Sequence, residues 1–366
     1  MFGLILTAGV TLLQAYVFWR LASLPVFGRR GPRAALAVVG FFLWGVVLAG
    51  PYFGHRSDGF VDRAIEAVGM DWMVVLFLTT VCLLTVDLIT GFGLLFRRVV
   101  PRLRAAAVMT GALLSVVAFI QGHRPPELEA YAVALARLPP EFEGRTIVAL
   151  ADLHLNATAD ESWLSARVQQ VMAERPDLIV LLGDVVENRR DADAKFAPIL
   201  RGLTAPLGVW AVLGNHESHD PQGQSAALLS DAGIRVLSNS WTAPLPGLVL
   251  AGVRDHSFAG NDGQVESDLA QSLEGAPPAA TILLSHAPVG AEFAAAHGVG
   301  LLLCGHTHGG QVWPFNYLVG LRYPLLDGRY TVGGMTVIVS RGAGTWGPRM
   351  RLWSRGSIVR VTLRRG

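Results

Sequence analysis

Uncharged apolar stretches dominate the first third of the chain. Residues 1–19 carry no charge, 34–53 carry none, 72–96 carry only Asp87, and 105–122 carry none. A helix needs about 20 predominantly apolar residues to cross a bilayer, so this pattern predicts about four transmembrane helices. Arg20 follows the first stretch and no basic segment precedes it, so residues 1–19 read as a retained span rather than a cleaved leader. After Arg124 and a short Pro-containing linker the pattern changes. Apolar runs of strand length recur at 146–151, 178–182, 209–213, 248–251, 281–284 and 300–304. They are rich in Val, Ile and Leu, as buried strands are. Trp163, Leu164, Val168 and Val171 share one helical face that Pro176 ends, with shorter helical patterns at 226–232 and 267–273. Residues 331–335, turning at Gly333-Gly334, and 358–363 read as hairpin-like antiparallel strands. The chain therefore divides into a helical transmembrane domain over 1–124 and an α/β domain over 125–366.

Charge refines this picture. Only 16% of the 366 residues are charged and 51% are hydrophobic, against roughly 25% charged in ordinary soluble proteins. Such a chain is neither disordered nor wholly soluble. Residues 1–124 hold 11 arginines and five acids, while the rest holds 19 basic residues against 23 acidic ones. The mildly acidic second half is a poor partner for nucleic acid. Two cysteines, Cys82 and Cys304, exclude a disulfide scaffold and leave too few thiols for a cysteine-based zinc site.

Arginines gather between the first two spans (Arg29, Arg30, Arg33) and between the last two (Arg97, Arg98, Arg102, Arg104), whereas 54–71 carries two arginines against four acids. Basic short loops stay cytoplasmic. Four spans then place both chain ends, and the large second domain, outside the cytoplasm of a multi-pass cell-membrane protein. Asp87 reads as a helix-to-helix hydrogen-bonding group, with Gln14 or Thr85 as partner, rather than as an ion relay, because no polar track accompanies it.

The residues that end the apolar runs carry the chemistry. The runs close on Asp152-Leu153-His154, Gly183-Asp184, Gly214-Asn215-His216-Glu217, Ser285-His286 and Gly305-His306-Thr307-His308-Gly309-Gly310. In open α/β sheets ligands bind beyond the carboxyl ends of the strands, so these five turns can share one crevice. Residues i and i+2 of an extended chain project to one side, which lets Asp152 and His154 face one ion, and His306 and His308 one ion each of a pair. Imidazole, carboxylate and one amide oxygen without thiolate suit Mn, Fe or Zn.

Taken together, the turns resemble the calcineurin-like metallophosphoesterase superfamily over about 146–363. GHTHGGQ and SRGAGTWGP (340–348) are similar to its bacterial membrane-anchored YkuE/YaeI-like branch. The resemblance implies a four-layer αββα sandwich and two divalent metal ions. It implies Asp152, His154, Asp184 and His308 as ligands of one ion, and Asp184, Asn215, His286 and His306 as ligands of the other. It assigns His216 to leaving-group assistance, with Asp184 bridging the ions, and leaves Glu187 outside the ligand set. The GDxxDRG form of the protein Ser/Thr phosphatases is absent, with Glu187-Asn188-Arg189 in its place. Asp255, His256 and Trp313 are candidate substrate contacts, and His219 a weaker candidate beside the metals.

The function so implied is a membrane-anchored, dinuclear-metal-dependent phosphodiesterase that attacks P–O bonds with a metal-bridging hydroxide. Its partners are the lipid bilayer and a phosphoester, lipid-linked substrates included, with no nucleic acid and no obligate protein partner. Two alternatives stand beside it. One is a pyrophosphatase of lipid precursors similar to the UDP-diacylglucosamine hydrolases. The other is a transporter or receptor whose phosphoesterase domain is regulatory.

Overall fold

The computed structural model describes all residues except 1, 55–58, 156–159, 188–194, 219–222 and 259–261, and at 2–5 and 51–54 the backbone alone. His219, Asn188 and Arg189 lie outside the described residues. The chain splits into two compact units, Met1–His123 with Gly347–Leu352, and Arg124–Trp346 with Trp353–Gly366.

The first unit contains the helices α1 (Phe2–Ala22), α2 (Arg30–Gly54), α3 (Phe60–Ile89) and α4 (Val100–Gly122). Among the described residues, Arg30–Gly50 of α2, all of α3 and all of α4 are long and apolar enough to cross a membrane. Helix α3 begins at Phe60 rather than at 72, because Val61, Ile65 and Val68 continue its apolar spacing between charged residues. It stops at Ile89 because Gly91, Phe92 and Gly93 adopt positive φ, which a helix cannot accommodate.

Asp87 therefore stands in the last turn of α3 rather than well inside the helix that the 72–96 stretch predicts. Its expected partners are also different. Gln14 instead donates to the Gly40 carbonyl and accepts from Trp72 Nε1, both at 2.9 Å. Asp87, fully buried, accepts from Tyr16 Oη (2.6 Å) and from Arg104 Nε and Nη2 (3.1 and 2.9 Å), with Arg20 Nε at 2.6 Å. A carboxylate persists in such a place only when it is paired. Where α3 meets α2, Gly69 has no Cβ, and one would stand 3.0 Å from the Val46 carbonyl oxygen. Small residues permit this close approach of membrane helices.

The second unit runs β1 (Glu127–Leu135), β2 (Thr146–Leu150), α5 (Glu161–Ala173), β3 (Leu178–Leu182), α6 (Ala197–Leu200), β4 (Val209–Val212), α7 (Asn215–Ser218), α8 (Gln224–Asp231), β5 (Arg235–Val236), β6 (Ser240–Leu245) and β7 (Leu248–Gly252). It continues with α9 (Asp262–Leu273), β8 (Ala280–Leu284), α10 (Ala291–Ala296), β9 (Leu301–Cys304), α11 (Phe315–Arg322), β10 (Gly328–Val332), β11 (Met335–Val339) and β12 (Ser357–Arg365). The strands form two six-stranded sheets, ordered β1-β12-β2-β3-β4-β5 and β10-β11-β9-β8-β7-β6.

Period-two alternation builds the layers. Ile147, Val180 and Val212 of the first sheet face Leu250, Ile282 and Leu303 of the second in the central core. Val148, Ile179 and Leu181 turn outward to Leu164 of α5 and Leu229 of α8. Leu283, Leu302 and Val337 turn outward to Leu269 of α9 and Ala294 of α10. The result is the four-layer αββα order that the family resemblance implied.

The chain's tail departs from expectation. β10 and β11 do form the antiparallel hairpin across Gly333-Gly334, but β12 leaves it and inserts between β1 and β2 in the other sheet. Val359, Val361 and Leu363 fill the central core while Ile358 fills the outer one. A strand buried on both faces takes an interior position in a sheet.

Candidate metal centre

Strand ends from both sheets supply the candidate ligands. β2 leads to Asp152 and His154, β3 to Asp184, β4 to Asn215 and His216, β8 to His286, and β9 to His306 and His308. Leu153 between the first two is buried in the outer core, although Asp152 and His154 on either side leave the extended backbone that the sequence spacing assumed. The backbone here is unusual. Asp152, His154, Asp184, His306 and His308 all have φ between 48° and 71°, a region that non-glycine residues rarely occupy and that clusters at functional sites. Gly214 supplies the complementary space, since a Cβ there would overlap both Asp184 Oδ1 and the Asp184 nitrogen.

Donor atoms converge in three overlapping groups, Asp152/His154/His308, His154/Asp184/His216 and Asp184/His286/His306, each within 4.8 Å. Ring orientation decides what these atoms are. His286 Nδ1 is 2.8 Å from the Leu182 carbonyl oxygen and donates its proton there. His286 Nε2 is then the ring atom turned into the cluster, 3.3 Å from Asp184 Oδ2 and 3.1 Å from both Asn215 Oδ1 and His306 Nδ1. His154 Nδ1 is held by Glu187 Oε1 at 3.1 Å, and its Nε2 lies 3.1 Å from His308 Nε2 and 3.8 Å from Asp184 Oδ2. His308 Nε2 in turn lies 3.7 Å from Asp152 Oδ1. Donor atoms gathered this closely can share a cation, or a proton where no cation is bound. Partners behind each ring that fix its tautomer are the usual support of a metal ligand. Nitrogen and oxygen donors of this number therefore fit two divalent ions.

The charges agree. Burial pushes the Asp152 carboxyl up to about 6 against the pull of the His286 and His154 imidazoles. Burial also opposes ionisation of Asp184, but the His286, His154 and His216 imidazoles outweigh it and hold that carboxyl well below the usual carboxylate range. His286 is the converse case, raised well above an ordinary histidine by the Asp184 carboxylate in spite of its burial. Burial, with the charge of His286 beside it, pushes His306 down to about 3. The cluster attracts positive charge, and most strongly at Asp184.

His216 occupies a different position. Its backbone N–H donates to Asp184 Oδ1 at 3.0 Å, its Nε2 is 3.9 Å from Asp184 Oδ2, and its side chain keeps 28% of its surface exposed. It can meet a bound molecule from the open side. Of the three candidate substrate contacts, Asp255 accepts from Ser257 N and Oγ, and His256 turns to Asp268 at 3.0 Å, buried. Trp313 packs its ring on Trp353 with centroids 4.9 Å apart.

Four supporting features lie outside what the sequence pattern conveyed. Glu187, read as a bystander, orients His154. Glu217, buried, accepts from the backbone N–H groups of Asp184 (2.9 Å), Val185 (2.5 Å), Val186 (3.0 Å) and Gly214 (2.8 Å), tying the β3 and β4 turns together. Its place directly after Asn215-His216 was the available signal. Residues 340–348 brace the β2 turn, with Ala343 and Gly344 donating to the carbonyls of Ala151 and Asp152 at 2.8 and 2.9 Å. Tyr323 Oη lies 3.0 Å from His306 Nε2 and donates to the Ser257 carbonyl at 2.5 Å, a relation with no signature in the sequence.

Comparison with known proteins adds to this geometry. The calcineurin-like phosphoesterase family matches residues 145–310, a span that includes every donor named above. The chain is 33% identical over 284 residues to a transmembrane protein with metallophosphoesterase domain from Bos taurus, covering 71% of this chain and 62% of that one. It is 33% identical over 247 residues to an uncharacterized metallophosphoesterase of Aquifex aeolicus, covering 65% and 91%. To the uncharacterized metallophosphoesterase YkuE of Bacillus subtilis it is 28% identical over 275 residues, covering 72% and 93%. The chain spans under two thirds of the length of several curated relatives it matches, the bovine protein among them.

Proposed function

This chain belongs to the calcineurin-like metallophosphoesterase family, a family of phosphoric ester hydrolases, and we propose that it acts as a membrane-anchored phosphodiesterase with a dinuclear metal centre. The observation that carries the reading is the set of imidazole nitrogens turned on Asp184 Oδ2 from both sheets, His154 at 3.8 Å and His286 at 3.3 Å, each ring fixed from behind. Asp152, His154, Asp184 and His308 would hold one cation, and Asp184, Asn215, His286 and His306 the other. Bound there, such cations supply charge to a phosphoryl oxygen and lower the pKa of the attacking water. Asp184, held ionised by the imidazoles around it, contributes the negative charge common to both positions. His216, half-turned to solvent, donates a hydrogen bond to the departing ester oxygen, assistance worth roughly 10²–10⁴ in rate.

The apolar helices serve as the anchor. Asp87 is engaged by Tyr16, Arg20 and Arg104, which supports a structural role over ion transport. Arg29, Arg30 and Arg33 at the start of α2, with Arg97, Arg98 and Arg102 at the start of α4, support a cytoplasmic side for those ends and an outer side for the catalytic unit when all four helices cross. A topology reporter fused at Gly366 tests this, and a cytoplasmic signal would reverse it.

The decisive experiment offers the purified full chain phosphomonoesters, phosphodiesters and lipid pyrophosphates with Mn, Fe or Zn. Metal-dependent diester hydrolysis is expected. Hydrolysis of pyrophosphates alone would favour the lipid-precursor alternative, and inertness toward every class with cations bound would overturn the reading.

A further inference from the structure

The exposed apolar surface of the second unit is unevenly placed. Among the described residues it exposes nine large hydrophobic side chains, and only Leu128 and Leu245 stand apart from three segments near the donor cluster. Helix α11 contributes Phe315, Tyr317, Leu318 and Leu321, the last 83% exposed, and none of its own residues is buried. Phe258, 73% exposed, follows the β7 turn. Trp346 and Trp353 complete the set.

These segments are tied to the donors and to one another. The Phe258 ring stands edge-on to His306, with centroids 6.1 Å apart and planes at 86°. Its neighbour Ser257 receives the Tyr323 hydroxyl, and Tyr323 closes the C-terminal end of α11 while contacting His306. The Gln311 side chain, just beyond His308, exchanges two hydrogen bonds with the Trp346 backbone at 3.1 and 3.0 Å. Trp353 packs on Trp313. An apolar border thus runs along one side of a polar, cation-attracting cluster. Exposed apolar side chains gathered on segments tied to one polar cluster point to a binding surface rather than to scattered exposure.

The arrangement matches a molecule with a phosphate at one end and hydrocarbon at the other. Resting on the phosphoesterase reading, we propose that the substrate is a lipid-linked phosphoester whose hydrocarbon chain lies against Phe258 and along α11 while its phosphate sits among the donors. The occupant is the substrate rather than the bilayer surface, because Phe258 touches a ring that is itself a donor and so faces whatever the donors hold.

The test uses the full chain, loaded with Mn²⁺, in detergent micelles. Its probes are p-nitrophenyl phosphodiesters whose second ester group is methyl, octyl or hexadecyl. The kcat/KM value rises with chain length, by at most about fourfold for each methylene that leaves water. The hexadecyl-to-methyl ratio falls at least tenfold in Phe258→Ser and in the double variant Leu318→Ser/Leu321→Ser. All three positions are exposed, and melting midpoints matching the parent establish that the variants fold. A flat chain-length profile with the methyl diester still hydrolysed overturns the lipid assignment and leaves the phosphoesterase reading intact. So does an unchanged ratio in both variants, or a ratio that falls only when the probes are embedded in phosphatidylcholine vesicles, which would make the patch a bilayer contact. Failure to hydrolyse even the methyl diester overturns both readings together.

Discussion

Tyr323 accepts a hydrogen bond from His306, because the only proton on its hydroxyl is given to the Ser257 carbonyl 2.5 Å away. A tyrosine hydroxyl has one donor and spare acceptor capacity, so the proton of His306 resides on Nε2 and its Nδ1 is free to face His286. Tyr323→Phe removes this constraint and keeps the ring. The expected outcome is roughly 10–100-fold weaker binding of one of two cations, the usual effect of losing a partner behind a ligand, with the other retained. Equilibrium dialysis against Mn²⁺ or Zn²⁺ reads the two affinities, and identical isotherms for variant and parent would remove the role.

Glu217 satisfies four buried N–H groups from two strand ends. In Glu217→Gln, one oxygen becomes an amide NH₂ that faces donors instead of accepting from them. Each unsatisfied buried group costs about 1–3 kcal/mol, so a loss of roughly 3 kcal/mol is expected. For a unit of this size that is a fall of about 6–12 °C in melting midpoint, measurable by scanning fluorimetry.

Asp184 and His216 separate binding from chemistry. Asp184→Asn should abolish both cation retention and hydrolysis, since Asp184 belongs to two of the three donor groups. His216→Asn should keep both cations and lose about 10²–10⁴ in kcat. Metal analysis alongside a phosphodiester assay distinguishes them, and full activity in either variant would defeat its assignment.

Chelation provides an independent check. The donors are arranged only in the folded chain, so cations at 100 times their dissociation constant add about 2.7 kcal/mol of stability per site. Treatment with EDTA should lower the melting midpoint and abolish hydrolysis, and excess Mn²⁺ should restore both.

In the helical unit, Asp87→Asn leaves the Arg20 and Arg104 guanidinium groups buried without a counter-charge. Breaking such a cluster costs about 3–5 kcal/mol, whereas replacing all its charged members by apolar residues can be close to neutral. The single variant should therefore melt earlier in detergent than the triple variant Arg20→Leu/Asp87→Leu/Arg104→Leu.

What the amino-acid order conveyed divides along physical lines. Runs such as Leu178–Leu182 announce themselves because a doubly covered strand must be apolar at every position, and the polar group that follows, Asp184, stands out against them. The polar groups that gather at the strand ends were thus visible. Interactions that depend on distant chain partners were not. Helix α3 continues through Asp62 and Glu66 because its apolar face persists, which a search for uncharged stretches overlooks. β12 has the same local pattern as a hairpin strand, and only its two-sided burial sends it between β1 and β2. Glu187 and Tyr323 act through the far nitrogen of a histidine, and nothing adjacent to them in the chain marks that contact.

The two sheets contribute unequal halves of the donor set, with Asp152, His154, Asp184 and Asn215 from the first and His286, His306 and His308 from the second. Two of the three donor groups, Asp152/His154/His308 and Asp184/His286/His306, draw on both sheets. Cations seated at the rim would rivet one side of the sandwich to the other, and their occupancy would become a gauge of whether the seam between the halves has closed. A chain caught with one sheet unformed would lack the shared positions, so completing the fold and arming the enzyme would go together.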